Sequence, residues 1–305
     1  FALAVLGRHD ELWESVKRSL KLRARAGSPH FSAKNKIILG AALSKGPRTD
    51  LAEKFLKAGI KGSKRVNESH ARVTAYAYRA AMRLREHETP AALRDIEKML
   101  EQVSIFDKNN CFLWHKQTMA FVLSTAVKHA IYPEVARTLA REQMSLEIEE
   151  DGSSIPLLLI STIGPIRVTV PFHGKTFRLH TLRPKPQKLC TILLQHPSGT
   201  RTEAILDHLS EAEGTKVSRN NLDTILSRLR SDLSKAGGVK GSDYVQFSEG
   251  VLRLTHILCE TQLIEKHVQK GLQLARQDRH WRANLEFATA FRLLQDSLST
   301  LEKTG

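Results

Sequence analysis

Residues 218–235 read SRNNLDTILSRLRSDLSK. At about 100° per residue, Ile225, Leu226, Leu229 and Leu233 fall within about 60° of Leu222, one narrow apolar stripe of a helix. Opposite it, between about 120° and 240°, lie Lys216, Asn220, Thr224, Ser227, Arg228, Ser231 and Lys235. Each is a hydrogen-bond donor and none is acidic; Asp223 and Asp232 fall to the sides. Such side chains contact phosphates and base edges when a helix lies in the major groove of double-stranded DNA. A protein-binding face would carry aromatic or large apolar anchors instead, and this one has none. That difference separates the two functions the chain could have. One is a DNA-binding transcriptional regulator; the alternative is a helical scaffold or adaptor that uses the same small domain for protein–protein interaction.

The flanking sequence sets this helix in a pattern. Ile166, Val168 and Val170 alternate with Arg167 and Thr169, His173-Gly174-Lys175 reads as a turn, and Phe177 and Leu179 resume the alternation of a β-hairpin. Helical periods follow at residues 186–195 and 202–209. After residues 218–235, Gly237-Gly238-Val239-Lys240-Gly241 reads as a flexible link to a second hairpin, residues 244–247 and 251–254 around Ser248-Glu249-Gly250. Strands, three helices and a closing hairpin are the element order of a winged helix with an N-terminal sheet. Two amphipathic helices, residues 261–277 and 280–301, end the chain.

Upstream, residues 1–146 have helical spacing almost throughout, as in Leu12, Val16, Leu20 and in Val73, Tyr76, Ala77, Ala80, Ala81, Leu84. Gly27-Ser28-Pro29, Gly46-Pro47, Gly62-Ser63 and Thr89-Pro90 punctuate it. The short connections imply helical hairpins of the tetratricopeptide kind without a strict 34-residue period, hence an irregular helical array for sensing a signal or for self-association. Residues 147–154, EIEEDGSS, read as an exposed linker. The predicted organisation is therefore a helical array over 1–146, a linker over 147–156, a winged helix over 157–255 and a C-terminal helical pair over 256–305. The fold class is mainly α with a small α+β domain. The opening, Phe1-Ala2-Leu3-Ala4-Val5-Leu6, reads as the middle of a helix in a longer polypeptide.

Hydrophobic residues make up 41% of the chain, enough for two or three domains. Of the net charge of +15, residues 1–90 carry +11. Clusters such as Lys17-Arg18 with Lys21, Arg23 and Arg25, and Lys61 with Lys64 and Arg65, have as their plain reading a solvated helix face, since no aromatics interleave them. Attraction of phosphate backbones is their other reading. The longest apolar run, residues 155–163, is interrupted by Pro156 and is far short of the roughly 20 residues of a membrane span. Cys111, Cys190 and Cys259 are too widely spaced for a disulfide framework or a metal clip, which suits a reducing cytoplasm. No zinc motif, nucleophile elbow or dinucleotide turn can be written, so no metal, no cofactor and no catalytic residue is expected. Trp114-His115 reads as a packing pair on a helix, and Cys190 as core.

From Ile166 to about Leu298 the chain resembles the bacterial transcriptional activator (BTAD) family, whose winged helix is of the OmpR type. The resemblance is carried by Arg183-Pro184-Lys185-Pro186-Gln187-Lys188-Leu189, by His196-Pro197-Ser198-Gly199, and above all by Arg219-Asn220-Asn221-Leu222 with Leu226-Ser227-Arg228-Leu229-Arg230-Ser231-Asp232-Leu233. It adds Lys185, Lys188 and Arg219 to the expected DNA contacts and implies transcription machinery as a partner. Phe112-Leu113-Trp114-His115-Lys116 and residues 131–139 resemble the end of the helical-repeat region in large regulators similar to the maltose activator. In those an NTPase module precedes the repeats; no GxxxxGK[ST] loop occurs here, which leaves such a module absent or before Phe1. Ser210 replaces a tryptophan common in the family, and Glu249 at the wing tip would repel phosphate.

Overall fold

The computed structural model describes residues 1–26, 28–105, 113–163, 166–170 and 180–302. Among them are thirteen α-helices and a few small sheets, a mainly helical protein. They form two compact units, Phe1–Met144 with Ile148–Ser154, and Ser145–Glu147 with Ile155–Gly305. No described helix is long and apolar enough to cross a membrane.

The first unit is built from α1 (Ala2–Val5), α2 (His9–Ala26), α3 (Pro29–Leu43), α4 (Thr49–Arg65), α5 (Ser69–Arg85), α6 (Thr89–Ile105), α7 (Lys116–Lys128) and α8 (Pro133–Met144), with sequential helices packed on each other. One turn recurs. Gly7, Asn67, His87 and Ala130 all take left-handed φ, between 51° and 72°. The N–H of each following residue then reaches back to a carbonyl five positions earlier: Arg8 to Leu3, Glu68 to Ser63, Glu88 to Arg83 and Ile131 to Ala126, at 2.8 to 2.9 Å. This is the Schellman closure of a helix end.

The break expected at Gly62-Ser63 does not occur, because α4 continues to Arg65. Its glycines serve packing instead. A Cβ on Gly59 would lie 2.4 Å from Ile37 Cγ1, and one on Gly40 2.7 Å from Leu56 Cγ, so α3 and α4 approach through their glycines. Inside, Asp95 (2% exposed) accepts from Arg79 at 2.8 and 2.7 Å and from Arg83 at 2.8 Å, while Arg83 also holds Glu53 at 2.7 Å. Trp114-His115 lies before α7 rather than within a helix. The His115 ring caps it, with Nδ1 accepting from Thr118 N–H at 3.3 Å and lying 3.1 Å from Lys45 Nζ.

The segment read as an exposed linker contains two short strands, β1 (Leu146–Ile148) and β2 (Ser154–Pro156). Leu146 and Ile148 are buried, which Glu147 between them and the acidic run after them concealed.

The second unit continues with β3 (Leu158–Ser161), β4 (Arg167–Thr169), β5 (His180–Thr181), α9 (Pro184–Gln195), β6 (Thr200–Arg201), α10 (Thr202–Glu213) and α11 (Arg219–Gly237). After a short 3-10 turn come β7 (Val245–Ser248), β8 (Val251–Leu254), β9 (Ile257–Cys259), α12 (Glu260–Arg276) and α13 (His280–Glu302). One sheet has the order β5-β4-β3-β9, the other β6-β8-β7. The expected turn at His173-Gly174-Lys175 and the residues Phe177 and Leu179 lie outside the described residues, as do Cys111 and Phe112. The strand that returns to β4 is β5, with Val168 opposite His180. Residues 256–305 are not wholly helical, since β9 pairs parallel to β3. Ile166, Val168 and Val170 face inward as their spacing predicts, but Arg167 is also buried, its Nη2 3.5 Å from the Ile163 carbonyl. The α12–α13 connection repeats the turn of the first unit: Asp278 has φ 54° and Arg279 N–H bonds to the Leu274 carbonyl at 2.9 Å.

Candidate nucleic-acid interface

Helix α11 starts at an N-cap, Ser218, whose hydroxyl accepts from Asn221 N–H at 3.3 Å. Its apolar stripe is the inner side. Leu222, Ile225, Leu226, Leu229 and Leu233 are at most 9% exposed and share a core with Leu189, Cys190 and Leu193 of α9 and with Ile205 and Leu209 of α10. Burial in that core pushes the Cys190 thiol up to about 12, assisted by nearby Cys259.

With the stripe anchored, the other side is turned to solvent. Arg219, Asn220, Thr224, Ser227, Arg228, Ser231 and Lys235 are all exposed, and so is Lys216 in the turn before the helix. Thr224 spends its hydroxyl proton on the Asn220 carbonyl at 3.0 Å. Of the flanking acids, Asp223 is exposed, while Asp232 accepts from Arg183 Nε and Nη2 at 3.3 and 3.1 Å. The exposed donors therefore stand beside one partly neutralised carboxylate and one solvated one.

The two remaining predicted contacts lie on α9. Lys185 is exposed on its first turn. Lys188 is half-buried and donates to the Ala212 carbonyl at 3.0 Å, which satisfies the C-terminal end of α10. Its ammonium is thus committed to the fold and does not share the exposed face.

Several positioning groups have no sequence signature. Ser210 accepts from Val217 N–H at 2.9 Å and donates to the Leu206 carbonyl at 2.7 Å, so this serine ties down the turn leading into α11. Arg230 donates to the Val245 carbonyl from Nε at 3.2 Å and Nη2 at 2.9 Å, joining α11 to β7. The stretch read as a flexible link packs closely: a Cβ on Gly237 would sit 1.9 Å from the Tyr244 hydroxyl, and one on Gly241 2.2 Å from the Arg230 carbonyl oxygen. Tyr244 is fully buried and donates to the Pro156 carbonyl at 2.9 Å; burial raises its pKa.

At the hairpin tip Glu249 and Gly250 both have positive φ, 51° and 78°, the backbone of a two-residue turn that matches strand twist. Glu249 is exposed there. Register places Arg201 opposite Val251 and Gln246 opposite Arg253, so the outer face of this sheet carries two exposed arginines. Arg201 escaped the sequence reading because its strand is two residues long and defined only by pairing. Among the described residues no three His, Cys, Asp or Glu side chains converge as metal ligands. No protein-family model, curated protein or solved structure matches the chain.

Proposed function

We propose that the second unit is the winged-helix DNA-binding module of a transcriptional regulator. Helix α11 enters the major groove, the β7–β8 hairpin serves as wing, and the first unit is a tetratricopeptide-like array for signal sensing or self-association. One observation carries this reading: the exposed polar and cationic side chains Asn220, Thr224, Ser227, Arg228, Ser231 and Lys235 lie opposite a fully anchored apolar stripe, with Lys216 and Arg219 exposed at the start of the helix. Asn, Arg, Ser and Thr read base edges as well as phosphates, and their mixture is what sequence recognition requires. The order of strands, three helices and hairpin supports the winged helix, and the recurring Schellman turns support the repeat character of the array.

Enrichment of random duplexes by the full chain tests the proposal. A defined motif should emerge and bind at least about 1,000-fold more tightly than scrambled DNA. Recovery of unenriched sequence would remove the assignment of α11.

A protein partner has its own support. Trp281, Leu285 and Phe291 on α13 are 75%, 52% and 63% exposed, the kind of anchors absent from α11. Contact with the transcription machinery through α13 is therefore compatible with DNA contact through α11. Substitution Trp281→Ala should leave DNA affinity unchanged and weaken association with such a partner.

A further inference from the structure

The first unit carries a second cationic surface of a different kind. Lys54, Lys57, Lys61, Lys64 and Arg65 of α4 are all exposed, and on a helical wheel they share an arc of about 100°. Over residues 54–65 they run about 16 Å along the helix. The sequence clusters Lys61, Lys64 and Arg65; α4's unbroken course past Gly62 adds Lys54 and Lys57 to the same side.

These cations make no ion pair among the described residues, whereas several others of the first unit do. Arg8 is tied to Glu11, Lys17 to Glu14, Lys34 to Glu68, and Arg79 and Arg83 to Asp95. Helix α4 has two carboxylates of its own. Glu53 faces the interior network through Arg83 at 2.7 Å; Asp50 is exposed on the same side as the lysines, in the first turn, four residues before Lys54.

We propose that this face of α4 binds the phosphate backbone of duplex nucleic acid without reading its sequence. A duplex presents about one negative charge per 1.7 Å with both strands counted, so about nine lie along a length of this size and those on the near side meet the five cations. Lysine supplies point charges suited to phosphate, and the stripe exposes no Asn, Gln, Ser or Thr to read a base edge. Between Phe31 and Phe121 no described large hydrophobic residue is exposed. The surface therefore lacks both the anchors of a protein interface and the apolar wedge of a membrane-lying helix. The face stands independently of α11, which it neither requires nor resembles.

The test is a full chain carrying Lys54→Gln, Lys57→Gln, Lys61→Gln and Lys64→Gln, titrated with a random-sequence duplex between about 50 and 200 mM salt. Affinity should fall roughly 10- to 100-fold at the low end, and the slope of log affinity against log salt should shrink by about three to four. Preference for an enriched operator over scrambled DNA should stay the same, whereas Arg228→Ala should reduce that preference and leave α4 binding intact. The two sites can thus fail separately. Unchanged affinity and slope in a variant with native circular dichroism would overturn the proposal. If the fourfold variant lost that signal, the pair Lys61→Gln and Lys64→Gln should still reduce the slope by about two. Polyglutamate binding as tightly as DNA with the same dependence on the four lysines would also overturn it, in favour of an acidic polypeptide.

Discussion

On the outer face of α11 the cations Arg228 and Lys235 are spread among Asn220, Thr224, Ser227 and Ser231. On α4, Lys54, Lys57, Lys61, Lys64 and Arg65 follow one another with no exposed amide or hydroxyl between them. The undersides are more alike, since α11 buries Leu229 completely and α4 buries Leu56 completely. The contrast teaches that net charge and recognition chemistry are separable. Cations on an anchored helix suffice to attract phosphate, whereas discrimination between bases needs donors and acceptors of fixed geometry among them.

The uniform charge of α4 depends on Glu53 being held inward, and the largest expected effect attacks that arrangement. Asp95→Ala leaves the half-buried Arg79 and Arg83 without their main partner and should cost about 3 kcal/mol in denaturant unfolding of the first unit. A cost below about 1 kcal/mol would mean that the network contributes little and that α4 owes its exposed charge to something else.

Truncation of the undersides comes next. Leu229→Ala and Leu56→Ala should each cost about 2–5 kcal/mol, each lowering the unfolding transition of its own unit. A large loss at one and none at the other would break the equivalence of the two buried faces.

The recognition faces should then part company. Arg228→Ala should cost about 1–3 kcal/mol on an enriched operator and relax preference at one base pair if the guanidinium reads an edge. An even loss across sequences, with the salt slope reduced by about one, would place it on phosphate. Arg8→Ala should do neither, since Arg8 is already paired with Glu11. Ser210→Ala removes the acceptor of Val217 N–H and should cost about 0.5–1.5 kcal/mol of second-unit stability, measured by chemical denaturation.

The smallest expected effect is one of pH. The His115 pKa is lowered by burial, then by Lys45, and its Nδ1 is already an acceptor. Below the ordinary histidine value of 6.5 the unfolded chain takes up the proton first, so first-unit stability should decline as pH falls from there toward the lowered folded value. His115→Asn should flatten that decline in a series of melting curves.

Much of the candidate site was legible. The stripe of Leu222, Ile225, Leu226, Leu229 and Leu233 determined its own inside, and with it the exposed donors, because both follow from one period. Lys188 was not legible: a lysine next to a helix start looks the same in sequence whether it meets solvent or the Ala212 carbonyl. Ser210 read only as a replaced tryptophan, and only the position of Val217 N–H makes it a tether. The recurring turn of the first unit was hidden for a related reason. Asn67, His87 and Ala130 adopt the left-handed turn residue's conformation where glycine would have announced it, so a recurring turn lacks a recurring sequence.

By itself the sequence determined that most of the chain is helical and which face of α11 is apolar, since these are local properties set by spacing along the chain. It also determined where cationic charge is concentrated. Only the tertiary structure decided what the glycines do. Gly59 and Gly62 could have ended α4 and instead let it lie against α3; Gly237 and Gly241 could have formed a loose link and instead admit Tyr244 and the Arg230 backbone. Tertiary packing also decided which charges remain unpaired. Glu53 and the α4 lysines are neighbours in sequence, but Arg83, thirty residues away, draws the carboxylate inward and leaves the lysines to solvent. The physical reason is common to both cases: close approach and ion pairing depend on distances between segments remote in sequence, and no local pattern encodes them.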